Sequence, residues 1–176
     1  MRIIYPHLLT PHSFKGQEAK YSVGVLIPPT TDCAELNSAV MQAAITAWGA
    51  DKERWSDRRL MPVGDAVKTV KSLSDEFKGW KFLRLKSKYA PDVIDAAKNK
   101  VTAPTELYNG RWAHVSIGAK PYAYNQLGNI GISLNLGNVM LLKHDTPIVL
   151  GGVSAKDEFA EFAEEINASI DNPEFA

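Results

Sequence analysis

The stretch from Arg111 to Lys143 limits the fold of this chain more than any other. Side chains on a strand alternate between faces, and Arg111 to Tyr124 keeps that alternation over a long run. Val115, Ile117 and Ala119 face one way, and Trp112, His114, Lys120, Tyr122 and Tyr124 the other. Asn125 to Asn129 (NQLGN) reads as a hairpin turn, and Ile130, Ile132, Leu134 and Leu136 alternate on the returning strand. Gly137-Asn138 interrupts that strand before Val139 to Lys143 completes it. Gly118 and Pro121 predict a bend or bulge midway along the outgoing strand, the kink that a closed barrel needs.

The upstream half supplies further strands and one helix. Arg2 to Leu9 is rich in strand formers, and Pro6 points to an edge position or a bulge. Thr10 to Gly16 is turn material. Ala19 to Ile27 is a clean strand with Tyr21, Val23, Val25 and Ile27 on one face and Lys20, Ser22 and Gly24 on the other. Pro28-Pro29 stops it. Asp32, with Glu35 three residues on, predicts a helix start, with Cys33 as a small buried residue in its first turn. Leu36, Val40, Met41, Ala44, Ile45 and Trp48 form its apolar stripe, and Gly49 ends it. Ala50 to Asp75 is a long charged connection carrying Arg54, Arg58 and Arg59, and Pro91 to Thr105 is a loop with a short helix at Val93 to Lys98.

With 176 residues and 45% hydrophobic composition, the chain can bury one good core. About five strands, a helix after the second, bent long strands and no internal repeat fit a mainly β fold, a small five-stranded closed barrel with one or two helices and long loops. Gly151-Gly152 marks the end of the body, so residues 1–152 form one domain and residues 153–176 an acidic C-terminal tail. Ser154 and Asp157 are placed to cap a last helix there, with Phe159, Phe162, Ile166 and Ile170 on one side.

The stretch Lys68 to Tyr89 carries the functional signal. Lys68, Lys71, Lys78, Lys81, Arg84, Lys86 and Lys88 stand against Asp75 and Glu76, with Phe77, Trp80, Phe82 and Tyr89 interleaved. Read as a strand, Trp80 to Lys88 places Trp80, Phe82, Arg84, Lys86 and Lys88 on one face and Leu83 and Leu85 on the other. Single-stranded nucleic acid offers bases that stack on rings and phosphates that attract Lys and Arg. The competing reading is an edge strand kept soluble by lysines, with Trp80 and Phe82 buried under a neighbouring element.

Formal net charge is zero, yet it is unevenly distributed. From Lys156 onward there are seven acidic side chains (Asp157, Glu158, Glu161, Glu164, Glu165, Asp171 and Glu174) and one basic, a net of −6. The preceding 155 residues carry 19 basic and 13 acidic side chains, a net of +6. A basic body with an acidic tail points to polyanion binding with an interaction tail. Phe175 beside Asp171 and Glu174 reads either as a partner anchor or as a frayed terminus.

No catalytic constellation emerges. His7, His12, His114 and His144 never fall at metal-ligand spacing with an acid or cysteine, and Cys33 lacks a nucleophile signature. The glycines at 128, 131 and 137 follow no strand-then-helix pattern, and no carboxylate pair stands out for acid–base work. No cofactor is expected. No apolar run is long enough to span a bilayer, no signal segment opens the chain, and a single cysteine fits a reducing cytoplasm.

Several segments together carry a resemblance. They are Tyr5-Pro6-His7-Leu8, Lys20-Tyr21-Ser22-Val23 running to Leu26-Ile27-Pro28, Glu106-Leu107-Tyr108-Asn109-Gly110, Ala123 to Gly131, and Leu150-Gly151-Gly152 ahead of an acidic, Phe-containing end. In this order, from about Ile3 to Phe162, they resemble a family of bacteriophage single-stranded DNA-binding proteins. Ala50 to Lys78 departs from the pattern. The resemblance implies an OB-fold barrel, no cofactor, and coating of exposed strands during phage DNA replication, recombination or repair in the host cytoplasm. It also implies a tail that contacts phage or host replication proteins and competes with DNA.

The groove it implies holds Trp80, Phe82, Arg84, Lys86, Tyr122 and Tyr124, to which charge and position add Lys20, Lys88, Lys120 and Arg111. Trp112 and Trp48 read as core, and Tyr5 and Tyr21 as core or barrel rim. A homodimer is compatible with this pattern. The rivals are a phage assembly protein built on a small barrel and an RNA-binding module of the same fold.

Overall fold

The computed structural model describes residues 1–13, 15–51, 63–123 and 130–151. Strand β1 (Arg2–His12) is followed by β2 (Lys20–Ile27), helix α1 (Ala34–Trp48), β3 (Gly64–Asp65), the short α2 (Ala66–Thr69), β4 (Lys81–Ser87), β5 (Val93–Ile94), β6 (Ala113–Ala123) and β7 (Ile130–Leu141). Single 3-10 turns at Asp75–Phe77 and Pro104–Glu106 stand before β4 and β6.

The strands form one sheet in the order β1-β2-β4-β7-β5, with β3 also on β4 and β6 also on β7. Pairing is antiparallel except for β4 and β5 against β7. The expected β6–β7 hairpin is present, pairing from Ala113 with Leu141 to Ala123 with Ile130, while its NQLGN turn lies outside the described residues. Gly118 and Pro121 pair in unbroken register with Asn135 and Ile132, so the kink is elsewhere. It falls between Val115 and Ile117, opposite Gly137-Asn138. A Cβ on Gly137 would sit 2.7 Å from Ser116 Oγ and 2.9 Å from its carbonyl oxygen, so only glycine allows this approach.

The expected closed barrel needs correction, because the described sheet does not close by a continuous ladder. Between β1 and β6 there is one isolated bridge, Arg2 with Trp112, flanked by hydrogen bonds from Ile3 N to Arg111 O (2.9 Å), Gly110 N to Ile3 O (2.7 Å) and Ala113 N to Met1 O (3.0 Å). Tyr5 and Pro6 explain the break. Tyr5 adopts a φ of 49° and gives its N–H to Asn109 Oδ1, and Pro6 has no N–H to give. The β1–β2 register shifts between Ile4 and His7, as Pro6 suggests, and β1 runs on to His12 where a turn was expected from Thr10.

The main core lies between the inner sheet face and α1. Val23, Val25, Ile27, Leu83, Leu85, Ile132, Leu134 and Leu136 meet Val40 and Ala44 of the helix stripe. Asp32 stands one residue outside the helix, its Oδ1 accepting from Ala34 N. Cys33 is the N-cap residue and half-buried, not a buried member of the first turn. The expected short helix at Val93 to Lys98 is instead β5 and a turn.

A second, smaller core covers one end of the outer sheet face. Ala66, Val70, Leu73 and Phe77, from the chain entering β4, pack with Ile148 over Ile4, Leu26 and Phe82. No helix among the described residues is long and apolar enough to cross a membrane.

Candidate nucleic-acid interface

Alternation along the strands sends every second side chain to the outer face. Leu26, Gly24, Ser22 and Lys20 follow one another there on β2, and Phe82, Arg84 and Lys86 on β4. The paired positions join them into rows. Gly24 pairs with Arg84, and His7, Ser22, Lys86, Asn135 and Gly118 are successive partners across five strands. The second core covers the Leu26–Phe82 end of this face and leaves the Arg84–Lys86 end open, with both side chains exposed.

Gly24 is the boundary. A Cβ there would come within 2.8 Å of Ile4 Cγ1 and 2.9 Å of Phe82 Cε2, so the ring edge and the neighbouring strand leave room only for hydrogen. Beyond it opens a cleft of about 220 Å³ with Tyr5, His7 and His12 along one wall and Arg84 and Lys86 along the other. Lys20 and Glu18 rim it.

Charge in the cleft is unbalanced. Among the described residues Glu18 is its one carboxylate, and it pairs with Lys88 at 2.9 Å and reaches Lys20 at 4.0 Å. The hydrogen bond from Lys88 holds the Glu18 carboxyl below its ordinary range. His7 and His12 stack with centroids 4.6 Å apart and planes 23° from parallel. Burial foremost, then His12 and Arg84, pull the His7 imidazole below its usual pKa.

The sequence-derived candidates therefore separate. Lys20, Arg84, Lys86 and Lys88 come together around the cleft, and Lys120 stands exposed on β6, two residues along from Gly118. Tyr122 is half-buried at the far end of β6, opposite Gly131. Tyr124 and the tail candidates Asp157, Glu158, Glu161, Glu164, Glu165, Asp171, Glu174 and Phe175 lie outside the described residues.

Three candidates are placed differently from expectation. Phe82 shares the face of Arg84 and Lys86, as alternation predicts, but is only 6% exposed because the second core covers it. Trp80 packs against the same cluster, edge-on to Phe77 at 5.1 Å and 6.4 Å from Trp112. Arg111 is buried at the β1–β6 seam, 3.3 Å from Glu106, against the His144 ring and over the ring of Tyr108. Phe82 and Arg111 are thus buried, and Trp80 is half-buried against the second core. Tyr5, 38% exposed, and the two histidines were missed; the signal was β1 continuing through Pro11 with outward residues opposite Ser22 and Lys20.

The sequence profile of the family described as the Enterobacter phage Enc34 single-stranded DNA-binding protein matches residues 1–169. The chain belongs to that family. Solved structures of the same kind share the fold. The Enc34 phage protein in complex with single-stranded DNA is 24% identical, with a TM-score of 0.63 over 83% of this chain and 84% of that one. Another structure of the Enc34 protein gives 22% and 0.59 over 90% and 86%. The gp2.5 single-stranded DNA-binding protein encoded by bacteriophage T7 gives 18% and 0.58 over 90% and 87%. No curated protein sequence matches significantly. The Enc34 family is one of DNA-binding proteins, a non-enzymatic role.

Proposed function

We propose that this member of the Enc34 family binds single-stranded DNA, tolerant of sequence, along the open outer face of β1, β2, β4, β7 and β6. The observation that carries the reading is the half-covered sheet face. Its open end gathers Lys20, Arg84, Lys86 and Lys88, with Glu18 as the one carboxylate in the cleft among the described residues, and family membership supplies the ligand class. The cations, with Lys120, contact phosphates, and rings at the rim stack bases at about 1–3 kcal/mol each. With Phe82 buried in the second core and Trp80 half-buried against it, stacking falls chiefly to Tyr5, Tyr122, Tyr124 and the 84%-exposed Tyr89.

In this reading the open sheet serves as an OB-like binding platform, residues 1–152 bind DNA, and the acidic residues 153–176 contact replication proteins and compete with DNA. The protein coats strands exposed during phage replication, recombination or repair. Anisotropy of labelled oligo-dT, duplex of equal length and single-stranded RNA, at low and high salt, tests it. Salt-sensitive binding of oligo-dT over duplex is the expected result. Absence of binding in both the full chain and a form lacking residues 153–176 overturns it and favours an assembly role, and preference for RNA redirects it.

A further inference from the structure

The wall of the cleft opposite Arg84 and Lys86 is made of imidazoles, and those groups change charge near neutral pH. We infer that the stacked His7–His12 pair is a proton-linked subsite for a DNA backbone phosphate, whose occupation draws a proton onto the pair. The inference rests on the single-stranded DNA reading of this face.

The geometry places the pair where a phosphate would be held. His7 pairs with Ser22 and, through it, lies in line with Lys86, while His12 pairs with Lys20. Both rings line the same cleft as Arg84. A phosphodiester entering between these walls meets guanidinium and ammonium donors on one side. On the other it meets imidazole N–H groups, which donate most strongly when the ring is charged.

Without a ligand the surroundings oppose that charge. On its own strand His7 faces His12 and the Tyr5 ring. From β2 and β4 the cleft it lines also holds Lys20, Arg84 and Lys86, of which Arg84 acts on it electrostatically. Among the described residues Glu18 is the one carboxylate lining the cleft, and Lys88 and Lys20 already engage it. Stacking at 4.6 Å leaves little room for two imidazolium rings side by side, so a second proton on the pair is opposed unless an anion lies against it. The lowered His7 pKa agrees with this.

A bound phosphate reverses the balance. It adds negative charge where cations were in excess, so the pKa of the pair rises on binding. A group with a higher pKa in the complex takes up a proton as the complex forms, and affinity then increases as pH falls through that raised pKa. The gain levels off below the pKa of the free protein. Each unit by which the pair's pKa rises is worth about tenfold in affinity. The other histidines stand apart from the cleft, His114 at the Ala113 end of β6 in a separate hollow with Ile94 and Asn138, and His144 beside Glu106 and Arg111.

The test is anisotropy of labelled oligo-dT at fixed ionic strength from pH 8 to pH 6, for the full chain, for His7→Gln/His12→Gln and for His114→Gln. The expected wild-type affinity is severalfold higher at pH 6 than at pH 8, bounded at about tenfold for a rise of one pKa unit. This ratio should shrink to near unity in the double variant and persist in His114→Gln. In parallel, ring-proton NMR of the wild type should show a His7 or His12 titration moving to higher pH when oligo-dT is added, a readout that does not depend on any variant folding. Binding that is independent of pH, a ratio unchanged in the double variant, or ring titrations that stay in place would overturn the subsite and leave the DNA reading intact. No binding at any pH would overturn both.

Discussion

Replacing Phe82 by alanine separates a packing role from a stacking role. The side chain is 6% exposed, with Leu26 on the paired strand and the Ala66–Phe77 segment over it. Truncating a buried phenylalanine removes its transfer energy and leaves a cavity, typically about 3–5 kcal/mol. Against a total stability of about 5–15 kcal/mol, that is a large fraction. Collapse around the gap is limited, since the nearest backbone, Gly24, has no side chain to fill it. Gly24→Ala perturbs the same spot from the other side, forcing a methyl into Phe82 and Ile4 at a cost of about 1–3 kcal/mol. Because the two residues touch, their combined effect should depart from additivity by about 0.5–3 kcal/mol. Urea unfolding of wild type, both single variants and the double variant gives all three quantities. Oligo-dT affinity, measured cold enough for every variant to be folded, should change little with Phe82→Ala. An unshifted unfolding midpoint combined with weakened oligo-dT binding would refute the burial argument and return Phe82 to the DNA.

Two predictions concern the β1–β6 seam. Asp145 accepts from Trp112 Nε1 at 2.7 Å and from Thr146 N at 2.7 Å, with Arg2 at 3.8 Å, and the Trp112 hydrogen bond foremost holds its pKa below the usual 3.8. A depressed carboxylate contributes stability above its unfolded pKa and loses it as pH falls through the folded one. Acid titration of unfolding should therefore show a loss below about pH 4 that flattens in Asp145→Asn, and identical acid limbs would contradict this. Gly110 has a φ of +104°, and a Cβ there would lie 2.7 Å from Arg2 Nη2 and 2.9 Å from Ile148 N. Gly110→Ala should lower stability by at least about 2 kcal/mol in thermal unfolding, and a neutral result would refute the tight seam.

Much of this arrangement was legible in local pattern. The alternation of Tyr21, Val23, Val25 and Ile27 marked the inner face of β2, and the stripe from Leu36 to Trp48 marked the buried side of α1, because both follow from the period of one element. Arg84 and Lys86 were found on the outer face for the same reason. For Phe82 the alternation fixed the face but left both readings open, exposed or buried under a neighbouring element, since whether a face is covered depends on a segment elsewhere, here Ala66–Phe77 folding back over β4. The bulge was sought at Gly118 and Pro121, residues that often mark one. It sits at Gly137, where the decisive fact is the approach of Ser116 from the other strand. Closure of the sheet failed in the same way, because the φ of Tyr5 and its hydrogen bond to Asn109 are set by a loop a hundred residues away.

The measurement that bears most directly on the central claim compares two charge-matched double variants. Arg84→Gln/Lys86→Gln removes two cations from the cleft, and Lys98→Gln/Lys100→Gln removes two exposed cations from the loop around β5. Each neutralised phosphate contact contributes about −0.7 to the slope of log affinity for single strands against log salt, so the cleft variant should lose about 1.4 from that slope. The loop variant should keep it. Equal loss in both, or none in the cleft variant, would contradict a binding face built on β2 and β4.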